Sequence, residues 1–344
     1  MFEFQDRKPV PVAILGATGQ VGQKFVELLS NHPWFHIVAL TASERSIGKK
    51  YRDAAQWRMK TPLSEEIADM DVVTPNPNID CCLAFSALDA DVAGDIESDF
   101  AKAGKIVVSN ARSHRYEPDV PLIVPEVNAN HLDLLSRQSY KPGGIVTNPN
   151  CVVIPLSMAL KPLQDAFGIS AVDVTTFQAI SGAGFVATTT MNIEDNIIPY
   201  IADEEEKIQK EFSKIMDLQC PISAQCHRVP VSDGHFLSVG VTLKEKPDLK
   251  EVISCWNGYS PEIQSLQLPM SPQKPLNYFE ENDYPQPKLH RDLDKGMTVS
   301  IGRLRTCPNM DFKFCVLGHN IIRGAAGGAV LTAELMLRNG QIFW

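Results

Sequence analysis

A glycine-rich segment near the start of the chain constrains the fold more than any other feature. The run Gly16-Ala17-Thr18-Gly19-Gln20-Val21-Gly22 follows the apolar stretch Val10–Leu15, typical of a buried strand, and leads into an amphipathic stretch at 21–30, typical of a helix. Glycines at such a turn let backbone N–H groups approach a pyrophosphate at the helix N-terminus, where the dipole favours an anion. The segment therefore predicts a dinucleotide-binding turn, rather than glycines that only tighten a loop.

The rest of the chain has two textures. Up to residue 109, apolar runs at 37–41, 80–86 and 105–109 alternate with helical patterns, as in 91–103, which predicts βαβ units and a parallel sheet. After Cys151, longer alternating runs predict a mostly antiparallel sheet with strands at 171–180, 223–231, 236–244, 297–306 and 311–317.

These textures predict two domains, which a chain of 344 residues also favours, because one hydrophobic core seldom grows that large. The fold class is α/β: an N-terminal dinucleotide-binding domain at 1–148, completed by a C-terminal helix at 320–344, and an α+β domain at 149–319. We expect the last element to fold back on the first domain. Within the second domain, 202–216 predicts a polar helix and the proline-rich segment 260–287 an ordered surface loop.

Composition excludes several classes of protein. The formal net charge is -9 and the chain has no Lys/Arg-rich run, which disfavours nucleic acid as a partner. The chain also has no stretch of eighteen apolar residues, so the sequence predicts no membrane span. The polar start, Met1–Lys8, does not resemble a signal peptide, so we expect a cytoplasmic protein. The eight cysteines show no disulfide spacing, and Cys220, Cys226 and His227 lack the second half of a zinc site, so no metal is expected.

The segment after the second predicted strand indicates which dinucleotide binds. An NAD site usually has an acidic residue there for the ribose hydroxyls, but this chain has Thr41-Ala42-Ser43-Glu44-Arg45-Ser46. The hydroxyls and Arg45 could hold a 2′-phosphate, so NADP is predicted. The alternative is that Arg45 and Lys49-Lys50 form a solvated loop with Glu44 turned toward a ribose.

Cys151 is the candidate nucleophile. It follows a strand-like run at 144–147 and precedes a helix-compatible stretch at 152–167, so the helix dipole would stabilise its thiolate. From position alone, a buried structural thiol remains an equal alternative. Arg228 and His235 flank a predicted turn between two strands, and the predicted hairpin would bring this carboxylate-binding group and this proton carrier to one end of the sheet.

Seven motifs together resemble one family. Besides the glycine-rich run, they are Ser109–Arg115, Val124–Asn128, Asn148–Cys151, Phe177–Gly184, Arg228–His235 and Arg323–Gly328, and they extend from position 16 to position 328. In this order they resemble the aspartate-β-semialdehyde dehydrogenases, specifically the branch shared by archaeal and fungal enzymes. The resemblance implies a fold like that of glyceraldehyde-3-phosphate dehydrogenase, with a Rossmann domain and a catalytic domain that forms the dimer interface.

The resemblance also implies residue roles. It makes Cys151 the nucleophile, His235 the acid–base group and Gln178 the residue that orients the substrate. Substrate binding falls to Arg228 for the α-carboxylate, Glu204 for the amino group, and Lys207 and Arg115, with Asn110 nearby, for phosphate. The implied cofactor contacts are Gly16, Thr18, Gly19, Gln20, Val21, Thr41, Ser43, Arg45, Ser46, Ser86, Ser181, Gly182 and Asn320.

The implied reaction is the NADPH-dependent conversion of L-β-aspartyl phosphate to L-aspartate-β-semialdehyde through a thioester on Cys151, in lysine, threonine, methionine and diaminopimelate biosynthesis. The implied assembly is a homodimer or homotetramer.

Three details depart from the family or stay open. Val152-Val153 stand where relatives more often have Thr or Ser, Arg112 could join Arg115 at the phosphate, and Glu204 could be shifted by one within 203–206.

Two other functions are alternatives to this one. A malonyl-CoA reductase resembles the same branch and uses the same thiol chemistry, but its substrate has no ammonium group. Glu204 with Lys207 would supply a partner for such a group, which favours the amino-acid substrate. A non-catalytic NADP-binding regulator would not need Cys151 and His235, and both are present.

Overall fold

The computed structural model describes residues 8–185 and 192–342, so most of the predicted polar start and the last two residues of the predicted C-terminal helix lie outside the described residues. The chain divides into two compact units. The first comprises the described parts of Met1–Ile123, Asn130–Asn148 and Ala329–Trp344, and the second those of Val124–Ala129 and Pro149–Gly328. Each unit has its own sheet.

The first unit contains a parallel sheet, as the alternating pattern predicts. Its six described strands run in the order β3-β2-β1-β4-β5-β6. They are β1 Val10–Leu15, β2 Phe35–Thr41, β3 Val72–Val73, β4 Leu83–Ser86, β5 Ile106–Ser109 and β6 Gly144–Thr147. The helices of this unit are α1 Gln20–Leu29, α2 Tyr51–Ala54, α3 Glu65–Ala68 and α4 Ala90–Lys102.

Burial explains why these strands carry few polar residues. Both faces of β4 and β5 are buried, as expected when helices cover a parallel sheet on both sides. Phe25 of α1 packs on Phe85 of β4 with ring centroids 5.0 Å apart, and Phe85 meets Phe35 of β2 edge-on. The packing leaves the loops after β1, β2, β4 and β5 at one edge of the sheet, where ligands of such folds bind.

The second unit contains a mixed sheet in the order β10-β11-β12-β9-β7-β8, and three of its five described pairings are antiparallel. The strands are β7 Ile169–Gln178, β8 Ile222–Arg228, β9 His235–Leu243, β10 Leu276–Phe279, β11 Val299–Thr306 and β12 Phe312–Gly318. The helices are α5 Pro125–Asn128, α6 Val153–Phe167, α7 Glu204–Met216, α8 Leu249–Asn257, α9 Pro287–His290 and α10 Gly327–Arg338, the last of which continues into the first unit.

Short 3-10 turns complete the described secondary structure at Ala129–Arg137, Ile180–Ala183, Glu262–Leu266 and Leu293–Gly296, and Ile322–Ala326 forms a π-helical turn before α10. Trp256 of α8 anchors the core of the second unit. It is buried, packs edge-on against Phe314 and donates a hydrogen bond from its indole N–H to the carbonyl of Ala159 at 2.8 Å. Among the described residues, no helix is long and apolar enough to cross a membrane.

Two sequence predictions about the second unit are wrong. Strands β8 and β9 do not form a hairpin, because both pair with β7, which lies between them. The proline-rich segment 260–287 is more than a surface loop, since it contains β10, which adds a parallel edge strand beside β11. Strand β10 has only four residues, so its alternation of apolar and polar side chains is too short to be recognised in the sequence.

The boundaries between the units also differ from the predicted ones. Segments 124–129 and 320–328 fall in the second unit, whereas the sequence predicts them in the first. A buried ion pair accounts for this, because both terminal nitrogens of Arg323 donate to the carboxylate of Glu126. The hydroxyl of Tyr259 donates to the Glu126 carbonyl at 2.5 Å.

Candidate active site

Cys151 lies immediately before a helix, as predicted. Helix α6 begins at Val153, and the Cys151 side chain is half-buried. Val152 and Val153 have no hydroxyl that could accept a backbone N–H at the start of the helix. The side chain of Asn150 does this instead, because its Oδ1 accepts the backbone N–H of Val152 at 2.9 Å. Because the remaining N–H groups of the first turn point toward this end, the position favours a negatively charged sulfur.

His235 is the neighbour of this thiol. Its Nε2 lies 3.1 Å from the Cys151 Sγ, and its Nδ1 lies 3.0 Å from the backbone nitrogen of Ala179, which donates to it. The imidazole is completely buried. Burial, the Arg228 guanidinium and His319 together hold the pKa of His235 well below its usual range.

Gln178 and Arg228 occupy the same end of the sheet. They are paired across β7 and β8, and their side chains are 2% and 6% exposed. Nη1 of Arg228 donates to the carbonyl of Ala179 at 2.9 Å, and burial lowers the pKa of this guanidinium. Strand β7 pairs in parallel with β8 on one side and antiparallel with β9 on the other. This arrangement, rather than the predicted hairpin, brings Arg228 and His235 together.

Helix α7 contributes Glu204 and Lys207. The Glu204 carboxylate accepts from Nδ2 of Asn150 at 2.9 and 3.1 Å and from Nζ of Lys207 at 3.0 Å. Nε2 of Gln178 lies 3.4 Å from Glu204 Oε2. Of the four acidic residues at 203–206, Glu204 is the one that is buried, whereas Glu205 accepts the backbone N–H of Cys226 at 3.0 Å. The burial of Glu204 and its hydrogen bonds to Asn150 and Gln178 support Glu204, rather than its neighbours, as the acidic residue beside Cys151.

We use "thiol cluster" below for the group of side chains that the second unit brings together around the nucleophile, namely Asn150, Cys151, Gln178, Glu204, Arg228 and His235.

The predicted phosphate-binding residues of the first unit lie on the loop after β5. Arg115 is 7% exposed, and its Nη2 donates to the carbonyl of Asn110 at 2.8 Å. Oδ1 of Asn110 accepts from Nδ2 of Asn148 at 2.9 Å. Arg112 is exposed to solvent. The loop therefore holds Arg115 in a defined position.

The glycine-rich turn has the close backbone contacts that the dinucleotide interpretation requires. Gly16 has a φ of +80°, and a Cβ there would lie 2.7 Å from the carbonyl oxygen of Ala87. At Gly22 a Cβ would lie 2.1 Å from the carbonyl oxygen of Gly16, so α1 can pack this closely on the turn only with glycine. The backbone nitrogens of Gly16 and Ala17 donate to the carbonyl of Thr41 and tie the turn to the end of β2.

The other predicted cofactor residues of the first unit surround this turn. Thr18 and Gly19 lie in the turn, Gln20 and Val21 start α1, Thr41 and Ser86 end β2 and β4, and Ser43, Arg45 and Ser46 follow β2. Gln20 Oε1 and Thr41 Oγ1 are buried without a hydrogen-bond partner among the described residues. Arg45 is exposed, and no described carboxylate pairs with it. Unpaired polar atoms and an available cation at this edge fit a phosphorylated dinucleotide.

Three further predicted cofactor residues belong to the second unit. Asn320 Nδ2 donates to the hydroxyl of Ser181 at 2.9 Å, and its Oδ1 accepts the backbone N–H of Gly234 at 2.8 Å. A Cβ at Gly182 would lie 3.2 Å from Nε2 of His235. Gly182 therefore lies beside the imidazole, and Asn320 holds Ser181 and the backbone just before His235.

Sequence reasoning assigned no role to three residues that hold the nucleophile. Asn150 bridges Glu204 and the start of α6, as described above. The buried Glu211 accepts the backbone N–H of Asn150 at 2.7 Å, and a Cβ at Gly324 would lie 2.8 Å from the Cβ of Cys151. A signal for Glu211 was present, because residues 204 and 211 are two helical turns apart and share one face. Gly324 lies in the family motif Arg323–Gly328, but nothing local in the sequence links it to Cys151.

Comparison with known proteins agrees with this geometry. The family model described as "Semialdehyde dehydrogenase, NAD binding domain" matches residues 11–135, and "Semialdehyde dehydrogenase, dimerisation domain" matches residues 160–323. Aspartate-semialdehyde dehydrogenase from Archaeoglobus fulgidus is 42% identical, with 95% of this chain and 98% of the relative covered. The protein of that name from Candida albicans is 44% identical, with 94% and 96% covered. Archaeal and fungal relatives thus confirm the predicted resemblance.

Solved structures agree as well. The aspartate semialdehyde dehydrogenase with NADP from Candida albicans superposes with a TM-score of 0.90 at 42% identity, covering 97% of this chain and all of the other. The enzyme II from Vibrio cholerae, complexed with ASA, gives a TM-score of 0.79 at 28% identity, with 97% and 99% covered. The predicted two-sheet fold class is confirmed, and the chain belongs to the aspartate-semialdehyde dehydrogenase family.

Proposed function

We propose that the chain catalyses the NADPH-dependent reductive dephosphorylation of L-β-aspartyl phosphate to L-aspartate-β-semialdehyde, in the biosynthesis of lysine, threonine, methionine and diaminopimelate. The observation that carries the proposal is the contact of 3.1 Å between Cys151 Sγ and His235 Nε2 in the second unit. A thiol at a helix start, paired with a buried imidazole, is suited to form an acyl-enzyme. Family membership supplies the substrate.

The buried charges of the thiol cluster suit an amino-acid substrate. Arg228 provides a planar fork of donors for the α-carboxylate, and one of its nitrogens already holds the Ala179 carbonyl. Glu204 provides a carboxylate for the ammonium group, and Gln178 is held beside it to orient the acyl group. Malonyl-CoA has no ammonium group, so the buried Glu204 supports the amino-acid substrate.

Following the family resemblance, we propose a phosphate-binding role for Lys207 within the second unit and for Arg115 with Asn110 within the first. Lys207 is attached to Glu204 by its ion pair, and Arg115 is attached to the Asn110 carbonyl. These contacts fix the direction of each cation before an anion arrives, which reduces the entropy cost of binding it. Arg112 is exposed, so we assign it no direct contact with phosphate.

The first unit would hold NADP, with the glycine-rich turn and the N-terminus of α1 facing the pyrophosphate and Ser43, Arg45 and Ser46 facing the 2′-phosphate. When bound, this cofactor supplies the hydride that reduces the acyl group. The chain's own contribution is the Cys151 thiolate, which attacks the acyl carbon and releases phosphate, leaving a thioester. The family resemblance gives His235 the acid–base role, and its contact with the sulfur supports a direct part in the chemistry.

The test of this function is an assay of NADP reduction with aspartate semialdehyde and phosphate, run beside malonyl-CoA with NADPH. We expect turnover only with the first pair. Cys151→Ala should lower kcat by at least about 10,000-fold because no thioester can form. Cys307→Ala, which removes another half-buried thiol of the same unit, should keep full activity. Turnover retained by Cys151→Ala, or reduction of malonyl-CoA in place of the amino-acid reaction, would reject the proposal.

We further propose that the enzyme is a cytoplasmic homodimer or homotetramer. All eight cysteines are free thiols, which suits a reducing compartment. The match of residues 160–323 to a dimerisation domain supports self-association through the second unit. Light scattering would distinguish the two assemblies, and a monomer at micromolar concentration would contradict both.

A further inference from the structure

A buried carboxylate of the first unit takes no part in the bonds of the proposed reaction. Glu97 lies on α4 and is 0% exposed, and the other buried residues of this helix are Ala93, Phe100 and Ala101. A carboxylate in such surroundings costs free energy unless other groups compensate its charge. The groups that do so lie at the ends of β4 and β5 and in the loop after β5, which carries proposed phosphate-binding residues.

One oxygen of this carboxylate fixes the start of the loop. The hydroxyl of Ser109, the last residue of β5, donates to Oε1 of Glu97 at 2.7 Å. The Ser109 oxygen in turn accepts the backbone N–H of Ala111 at 3.0 Å, so its own hydrogen is available for Glu97. Because Nη2 of Arg115 donates to the carbonyl of Asn110 inside this bend, the position of the guanidinium depends on the bend that Glu97 holds.

The second contact of Glu97 is with His114 of the same loop. Nε2 of His114 lies 3.7 Å from Oε2 of Glu97 and 3.2 Å from the carbonyl oxygen of Gly94, which is also on α4. Nδ1 of the same ring lies 2.6 Å from Oε1 of Glu117, and the histidine is 5% exposed. The ring therefore fixes the residue next to Arg115 against the helix that carries Glu97.

The charge of Glu97 also acts on the proposed phosphate-binding arginine. The carboxylate faces two basic side chains, His114 and Arg115, and the hydroxyls of Ser86 and Ser109. Burial raises the pKa of Glu97, and these four groups oppose that rise because they stabilise the anion. An electrostatic interaction is mutual, so the Glu97 anion reduces the positive potential that Arg115 presents to a phosphate.

Resting on the proposed function, we propose that Glu97 is a positioning residue with two opposite effects on phosphate binding. Its hydrogen bond to Ser109 holds the loop that carries Arg115, which favours binding. Its negative charge weakens the attraction between that guanidinium and phosphate. The second effect serves the reaction, because phosphate has to leave once the thioester on Cys151 has formed, and a buried arginine without a compensating charge would retain it.

Two substitutions separate the charge of Glu97 from its hydrogen bond. Glu97→Gln removes the charge but keeps an oxygen that accepts from Ser109, and we expect the KM for inorganic phosphate to fall about fivefold at saturating aspartate semialdehyde and NADP. Ser109→Ala keeps the charge but removes the hydrogen bond, and the loosened loop should raise the same KM about threefold. A purely structural role predicts a higher KM in both variants, so a KM in Glu97→Gln that is unchanged or higher would overturn the proposal.

Asp99→Asn is the matched control, because it removes an exposed carboxylate from the same helix. Water screens that charge, so the KM for phosphate should stay within about twofold of the wild-type value. Should Glu97→Gln not fold, Ser109→Ala still decides, since an unchanged KM there would reject the hold on the loop.

Titration calorimetry of inorganic phosphate into the full chain gives a second readout that needs no aldehyde. We expect the dissociation constant of phosphate in Glu97→Gln to be about fivefold below that of the wild type. An equal or higher constant would reject the role of the charge. Failure of the wild type to turn over aspartate semialdehyde would instead reject the proposed function, so the two failures are distinguishable.

Discussion

The glycine-rich turn of the first unit and the thiol cluster of the second are built by different means. The turn consists of seven consecutive residues, Gly16–Gly22, and its close contacts at Gly16 and Gly22 are with backbone atoms. The thiol cluster draws side chains from five segments of the chain, spread from residue 150 to residue 235, and its contacts are mutual. The first site is local in sequence, and the second exists only when the mixed sheet has formed.

This difference predicts different responses to substitution. In the thiol cluster the polar groups bond one another or, for Arg228, the buried carbonyl of Ala179. Removing one group therefore leaves a buried partner without a hydrogen bond, at a cost of about 1–3 kcal/mol beyond the lost ligand contact. At the nucleotide edge Ser43 and Arg45 are exposed, and water can replace a contact that either of them loses. Losses in the cluster should therefore be large and non-additive, and losses at the nucleotide edge small and additive.

Arg228 provides the largest expected effect among residues other than the nucleophile. Arg228→Leu removes the proposed carboxylate clamp and the donor to the Ala179 carbonyl. We expect kcat/KM for aspartate semialdehyde to fall about 1,000-fold, or about 4 kcal/mol. Arg228→Lys keeps the charge but loses the fork, so it should recover about tenfold of that loss. Steady-state kinetics checks both.

The matched control is Arg305→Leu, which removes an exposed arginine of the same unit and should leave kcat/KM within a factor of about two. A loss in Arg228→Leu as small as that of the control would mean that the cluster does not bind the carboxylate. The contrast between the two regions would then fail.

Gly324→Ala should give the next largest effect. The added Cβ would lie 2.8 Å from the Cβ of Cys151 and 3.0 Å from its Cα, so the nucleophile must shift. Displacement of a reacting group by a fraction of an ångström to one ångström can cost about 100-fold in rate, and we expect kcat to fall by that order. The dissociation constant of NADP should stay unchanged, since the glycine-rich turn belongs to the other unit.

Gly94→Ala is the control for this change, because a Cβ there would lie 3.6 Å from the nearest side chain, an ordinary contact. It should leave kcat unchanged and slightly raise the thermal midpoint, since alanine favours a helix. An unchanged kcat in Gly324→Ala would show that the cluster tolerates movement of its nucleophile, which its dense contacts argue against.

The same contrast decides what sequence alone could predict. The strand before the glycine-rich turn and the helix after it were predicted almost to the residue, since periodicity and glycine placement are local signals. The helix starting after Cys151 and the helix carrying Glu204 were predicted for the same reason. Long-range pairing was not: the predicted hairpin between Arg228 and His235 proved wrong, because a strand from far earlier in the chain, β7, inserts between them.

The supports of the nucleophile were missed for a related reason. Asn150 lies in a recognised motif, yet its side chain acts through Glu204, 54 residues later. Glu211 and Gly324 contact the same loop from elements still further along the chain. Recognition of the family gave Cys151, His235, Gln178 and Arg228 their predicted roles. It did not reveal that the Ala179 amide occupies Nδ1 of His235, because no side chain marks a backbone donor.

Substitution of Arg45 gives the smallest expected effect and tests only the nucleotide edge of the first unit. Arg45→Ala removes an exposed cation for which no described carboxylate is a partner, so the change leaves no buried group unsatisfied. A charge-assisted contact with a 2′-phosphate is worth about 1.5 kcal/mol, so we expect the KM for NADP to rise about tenfold, while the KM for NAD and kcat stay nearly unchanged. Lys50→Ala, which breaks an exposed ion pair with Asp71, is the neighbouring control and should leave both KM values unchanged. Equal rises for NADP and NAD in Arg45→Ala would remove the basis for assigning this residue to the 2′-phosphate, and a large fall in kcat would show that the two regions are more tightly linked than their separate construction indicates.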